Sequence, residues 1–249
     1  MVLGSSGYSV GYAKRSRAFS IANFLVFSLV LLGPLGSKFG IWDFSIGFLI
    51  LLAGLVGCLL CLIVFLVLWL RSRKTVGRFS SSSYGLMGLN GLAVGVLLFQ
   101  LMLAFRSPPI HDISTDIWDV PEFDKIVSIR GVNSNSLDYN SEYTGSLQQK
   151  HYPSLQTLRI PIGVDEALNK TIDVFEQLGF EVVHVDEGNK IVEATATTFW
   201  FGFKDDVVAR VRQSDDGVIY DVRSISRVGL SDLGTNARRV EKILERLEI

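Results

Sequence analysis

Residues 44–70 read FSIGFLILLAGLVGCLLCLIVFLVLWL, twenty-seven positions without a charged side chain. About 20 apolar residues at 1.5 Å each cross the hydrocarbon layer, so this run is long enough to span a bilayer and to tilt. Uncharged runs lie on either side of it, Ala18–Leu35 and Tyr84–Phe105. No soluble core accounts for three such stretches in succession. The pattern predicts a membrane anchor of three transmembrane helices over residues 1–106 and a separate soluble domain over residues 107–249. Trp42 and Trp69 flank the central run, where an indole ring is stable at headgroup level.

Charge separates the two parts further. Residues 1–106 hold nine Lys/Arg and one acid, Asp43, whereas residues 107–249 hold fifteen Lys/Arg and twenty-four Asp/Glu. An acidic domain repels phosphates, which argues against nucleic-acid binding. Within the anchor, Lys14, Arg15 and Arg17 precede the first run, and Arg71, Arg73, Lys74 and Arg78 lie between the second and third. The loop between the first and second runs has Lys38, offset by Asp43. The positive-inside rule therefore puts the N-terminus in the cytoplasm, and three crossings put the C-terminal domain on the far, extracytoplasmic side. A cleaved signal peptide is the alternative reading of the first run, but no clean small-x-small site follows it.

Small residues recur at helical spacing in the runs: Gly54 with Cys58, Gly57 with Cys61, and Gly91 with Gly95. Such pairs let backbones approach in lipid. Packing among the three helices of one chain is the expected use, with a homo-oligomer through Gly91 and Gly95 as the alternative. Asn23, Asn90 and Gln100 are the polar side chains within the runs. None ionises, which argues for an anchor over a proton or ion pathway.

In the soluble part, Ser107-Pro108-Pro109 ends the third helix, and residues 107–160 are turn-rich, predicting a surface wrap with a short helix near Pro121–Val127. From Val164 to Leu178 apolar residues return every third or fourth position, and Gly179 stops the helix. Four strand-like runs follow, Glu181–Asp186, Lys190–Thr198, Asp206–Gln213 and Val218–Ser226, then a helix over Thr235–Leu247. This predicts an α+β domain, a four-stranded antiparallel meander flanked by two helices on one face. On the opposite face, the period of two aligns Arg210, Arg212, Asp221, Arg223 and Arg227. The charged ladder is either an anion site held by guanidinium forks or cross-strand ion pairing on a solvated face. Phe199, Trp200, Phe201 and Phe203 crowd five positions beside Lys204, Asp205 and Asp206. They either plug one end of the core, rest on a bilayer interface or line an apolar pocket.

Three motifs carry a family resemblance: Pro109-Ile-His-Asp-Ile-Ser-Thr-Asp116, Thr195-Ala-Thr-Thr-Phe-Trp-Phe-Gly-Phe-Lys-Asp-Asp206, and Asp221-Val-Arg-Ser-Ile-Ser-Arg-Val-Gly-Leu-Ser-Asp-Leu-Gly-Thr-Asn-Ala237. In this order they resemble the bacterial domain-of-unknown-function family 1499 across residues 107–249, in the variant with His111-Asp112 where other members carry Asn-Cys. The resemblance implies a bacterial cell-envelope protein with membrane helices upstream, and it implies no activity.

His111, His151 and His184 are widely separated, and no hydrolase, zinc or nucleotide signature is present. Asp205 and Asp206 diverge on a strand, which makes them a poor acid/base pair. No cofactor is implied. These residues point to an inner-membrane protein whose extracytoplasmic domain binds a partner protein or an anionic or lipidic ligand. The candidate contacts are Arg210, Arg212, Asp221, Arg223, Arg227, Trp200, Lys204, Asp205 and Asp206. An enzyme acting on an envelope substrate is the alternative.

Overall fold

The computed structural model describes residues 5–72 and 81–249. Arg73, Lys74 and Arg78 of the second basic cluster, and the side chains of Lys14 and Arg15 in the first, lie outside the described residues. The chain forms two compact units, Met1–Met102 and Leu103–Ile249.

The first unit contains α1 (Ser5–Lys38), α2 (Phe44–Ser72) and most of α3 (Ser81–Arg106). All three helices are long and apolar enough to cross a membrane. Between α1 and α2 the chain reverses in a glycine-closed cap. Gly40, at φ +69°, donates to Ser37 O, and Ile41 donates to Gly36 O. This satisfies carbonyls that would otherwise face lipid or interface unpaired. Trp42 folds back along α1 and donates from Nε1 to Gly33 O at 3.0 Å. Glycine is required at this turn. A Cβ on Gly33 would stand 2.5 Å from Gly47 O, and one on Gly36 would stand 2.1 Å from the Trp42 ring. Farther along, a Cβ on Gly54 would meet Val30 N at 2.8 Å and one on Gly57 the Val26 side chain at 2.6 Å. These small residues thus serve intrachain packing, as expected. Gly91 and Gly95 do not, because the space beside each is open.

One polar residue from each helix meets at a common level. Asn90 of α3 donates to Asn23 Oδ1 of α1 at 2.7 Å, and the Cys58 thiol of α2 approaches Asn90 Oδ1 at 3.5 Å. All three are fully buried. Interhelical hydrogen bonds in bilayers contribute about 0.6–2 kcal/mol each. Here they also supply the specificity that apolar helix faces lack, because lipid and leucine are equally good neighbours for a leucine.

The second unit is built on one antiparallel sheet. In chain order its elements are β1 (Asp112–Ser114), α4 (Lys125–Ile129), a π-helical turn Ser141–Gly145, α5 (Ser146–His151), β2 (Leu158–Ile160), α6 (Val164–Gln177), β3 (Glu181–Asp186), β4 (Ile191–Thr197), β5 (Lys204–Ser214), β6 (Gly217–Ser226) and α7 (Thr235–Glu248). The sheet has six strands where four were predicted. Strands β3 to β6 follow one another antiparallel, and β1 and β2 lie end to end along the free edge of β6. Each added strand is only three residues long, too short for alternation to register. They cover an edge that would otherwise present unpaired backbone groups to other chains.

Helices α6 and α7 cover one face. Their Leu168, Phe175, Val240 and Ile243 pack on Val192, Ala194, Val207, Ala209, Tyr220 and Val222. The period of two in the strands meets the 3.6 period of the helices there, which makes this the main core. The turn into β3 uses Gly179 at φ +76°, and Phe180 donates to Phe175 O.

The opposite face is not solvated. Residues 112–140 run across it as a strap, with Phe123, Ile126 and Leu137 packed on Val208, Ile225, Val183 and Ile191. Glu193 rises from β4 into this layer, fully buried. Its carboxylate accepts the backbone N–H groups of Asp124 (2.7 Å), Lys125 (3.1 Å) and Ile126 (2.8 Å). The sheet thereby caps the first turn of α4, satisfying donors that a short helix leaves free.

Candidate functional site

The strap explains the arginine ladder. Arg223 is 3% exposed. It grips the Asp112 carboxylate with two forks, Nε at 3.0 Å and Nη2 at 2.7 Å, and also donates to Pro121 O and Leu137 O. The rings of Phe123 and Tyr139 lie 5.3 and 5.6 Å from its guanidinium carbon. Burial pushes the Asp112 carboxyl above the usual range, and Arg223 pulls it partly back.

Arg210 and Arg212 meet carboxylates from two sources, Asp221 of their own hairpin and Asp119 of the strap. Asp116 stands 3.6 Å from Arg212. Thr157 donates to the other Asp221 oxygen at 2.6 Å. The Arg210 hydrogen bond holds the Asp119 carboxyl below its ordinary range. Arg227 and Arg130 share Asp206, at 2.7 and 2.6 Å. On the helix face, Asp205 pairs with Arg239 at 2.6 Å. Asp205 and Asp206 therefore diverge to opposite sides of the sheet.

The five arginines of this face are thus engaged by Asp112, Asp116, Asp119, Asp206 and Asp221. The forks that an anion site would offer to a ligand already hold carboxylates of the chain itself. Among the described residues, only Nε of Arg210 and Nε of Arg212 are buried side-chain polar atoms without a partner. Sequence reasoning missed Asp112, Asp116, Asp119 and Arg130 as partners of this ladder. The available signal was apolar: Val208 and Ile225 share the arginine face, which a solvated surface would not require.

Several exposed large side chains gather at one end of the sheet, while Trp118, 77% exposed, stands apart on the strap beside Asp119. The β4–β5 connection, residues 198–203, is a tight hairpin in which Thr198 N donates to Phe203 O and Phe203 N donates to Thr198 Oγ1, both at 2.8 Å. Gly202, at φ +69°, makes the turn possible. Phe201 and Phe203 stack against each other, while Phe199 and Trp200 meet edge to face and are 72% and 52% exposed. Lys204, next in line, lies 3.9 Å from Glu181 and remains partly exposed.

The same end holds the loop between β6 and α7. Asp232 caps α7 by accepting from Gly234 N and Asn236 N, and its own burial raises its pKa. Gly229 O accepts from Asn135 Nδ2 at 2.9 Å, and Ser231 Oγ lies 3.3 Å from Pro108 O. Leu230, between these two fixed points, is 84% exposed. Beside it is an open cleft of about 350 Å³ lined by Pro109, His111, Asp138, Tyr143, Thr144 and Leu230. Among the described residues, no group of three His, Cys, Asp or Glu could hold a metal ion. His111 precedes β1, His151 ends α5 and His184 lies on β3.

Residues 112–247 match the family described as "Protein of unknown function (DUF1499)". No curated protein matches the chain.

Proposed function

The chain belongs to the DUF1499 family, whose description names no activity, and on that premise we propose that its C-terminal domain is a binding module of the bacterial cell envelope. The module engages an amphipathic, lipid-like ligand through the aromatic hairpin 198–203. The observation that carries this reading is the pair Phe199 and Trp200, exposed on a turn fixed by two hydrogen bonds and the Phe201–Phe203 stack, with Gly202 supplying its positive φ. Large aromatics kept in water by a fixed backbone are the composition of a contact surface. Lys204 beside them suits an anionic headgroup or terminus. Arg210, Arg212, Asp221, Arg223, Arg227 and Asp206 enter this reading as the lock that keeps the strap closed, with Asp205 doing the same for α7 through Arg239.

The uneven distribution of Lys and Arg supports an inner-membrane setting with the N-terminus in the cytoplasm and the domain on the periplasmic side. The open faces of Gly91 and Gly95 leave room for a second copy. The competing reading, an enzyme acting on an envelope substrate, needs a reactive group in a cleft, and among the described residues no specific contact favours one.

The test is a photoreactive benzophenone side chain at position 199 of the full chain, irradiated in intact cells. A lipid-mass adduct on the hairpin peptide is the expected result. A hairpin that forms no lipid adduct, or crosslinks to protein alone, refutes the reading.

A further inference from the structure

We propose that one end of the domain lies flat on the bilayer crossed by α3, with Phe199, Trp200, Leu230 and Val132 entering the headgroup region. This inference builds on the lipid-binding reading and names the lipid surface as the partner.

Chain connectivity sets the location. Ser107 N still donates to Leu103 O, so helical bonding runs unbroken past Arg106, the last residue of α3. Pro108, two residues beyond Arg106, lies against Ser231 Oγ, and Ile110 O accepts from Asp232 N at 3.4 Å. At no more than about 3.6 Å per residue, the chain gains about 14 Å at most between Arg106 and Ile110. The loop carrying Leu230 is therefore tied within a few residues of the point where α3 leaves the hydrocarbon.

Pairing then brings the other segments to the same end. Ser226 N donates to His111 O, and Arg227 N donates to Lys204 O, which sets the 198–203 hairpin beside the exit. Asn135 N donates to Arg227 O at 2.7 Å, which brings in the 131–135 loop and the 101%-exposed Val132. Four large exposed side chains thus come from three segments far apart in sequence and converge on one end. The opposite end of β5 is polar at its turn, with Trp118 of the strap exposed toward that side beside Asp119. That turn consists of Ser214, Asp215, Asp216 and Gly217, and it lies about 35 Å away along an 11-residue strand.

The physical drive is interfacial. Trp and Phe are favoured at headgroup depth, and each backbone here is already fixed by hydrogen bonds, so little ordering entropy is lost on contact. Leu230 sits between two pinned residues, Gly229 and Ser231. An apolar tip held out on a rigid loop is stable in water only at a cost that burial in lipid removes.

The experiment uses the full chain in phospholipid nanodiscs, with single cysteines introduced as V132C, F199C, L230C and D215C and labelled by a membrane-impermeant nitroxide maleimide. Native Cys58 and Cys61 lie within α2 and stay unlabelled. The expected result is a collision ratio of oxygen over nickel chelate several-fold higher at 132, 199 and 230 than at 215. Nitroxides at 199 and 230 as open to the nickel chelate as the one at 215 would overturn the proposal. If that happens while the benzophenone at 199 still takes up lipid, bilayer apposition fails and ligand binding stands. If both fail, the hairpin has no lipid role.

Discussion

Glu193→Ala tests the strap most directly. The carboxylate is fully buried and is the acceptor for three backbone N–H groups at the start of α4. Removing it leaves three donors without a partner. An unsatisfied buried donor costs about 1–3 kcal/mol, the two partly buried donors toward the low end because water reaches them, so about 3–5 kcal/mol in total. For a domain of this size each kcal/mol lowers Tm by about 2–4 °C, giving a fall of about 6–20 °C. Glu193→Gln keeps one carbonyl acceptor but turns an NH2 toward the helix start, and is expected to cost about half as much. Thermal unfolding of the full chain in detergent, followed by near-ultraviolet dichroism, measures the global effect. Hydrogen exchange by mass spectrometry locates it, with amides 124–130 losing protection first. A Tm within 2 °C of wild type for Glu193→Ala, or unchanged exchange over 124–130, would refute the view that the sheet caps the strap.

Arg223→Ala strands the Asp112 carboxylate inside the domain and is expected to cost about 3–5 kcal/mol, read by the same unfolding assay, with Asp112→Asn in the same chain recovering part of the loss. For Asp119 the sign is set by its lowered pKa. Its contribution is complete above the unfolded value of about 3.9 and is lost as pH falls through the folded value. Amide exchange over residues 116–121 is therefore expected to rise below about pH 4 in the wild type and to lose this pH step in Asp119→Asn. In the membrane unit, Gly36→Ala is expected to destabilise the α1–α2 hairpin by forcing Trp42 off its seat, whereas Gly91→Ala has open space and is expected to be neutral; thermal aggregation of each variant in detergent ranks them. If a second copy docks on α3, Gly91→Leu with Gly95→Leu abolishes it, seen as loss of a disuccinimidyl crosslinked dimer in membranes.

The three long apolar helices were legible as uncharged runs, and the meander β3–β6 and the two helices of its covered face because each repeats one period for long enough to be counted. Asp221, Arg223 and their neighbours were assigned to the correct face for the same reason. Their partners were not legible. Asp112 lies 111 positions before Arg223, and Asp119 lies 91 before Arg210. No local rule links such pairs, and the strap between them has neither helical nor strand periodicity. Its β1 and β2 borrow their extended geometry from β6. The aromatic cluster was found from composition alone, but which rings face water depends on the turn at Gly202.

The pairing of β1 with β6 also orders events in time. Asp112 is among the first residues after the last membrane helix, whereas its partner strand ends at Ser226 and the helix behind it at Glu248. Contacts of such long sequence separation form late and slowly. A ribosome must deliver nearly all of this chain before the strap finds its bed. Until its partner strand is made, β1 has no edge to pair with, and a chain cut short before Gly217 lacks β6 altogether.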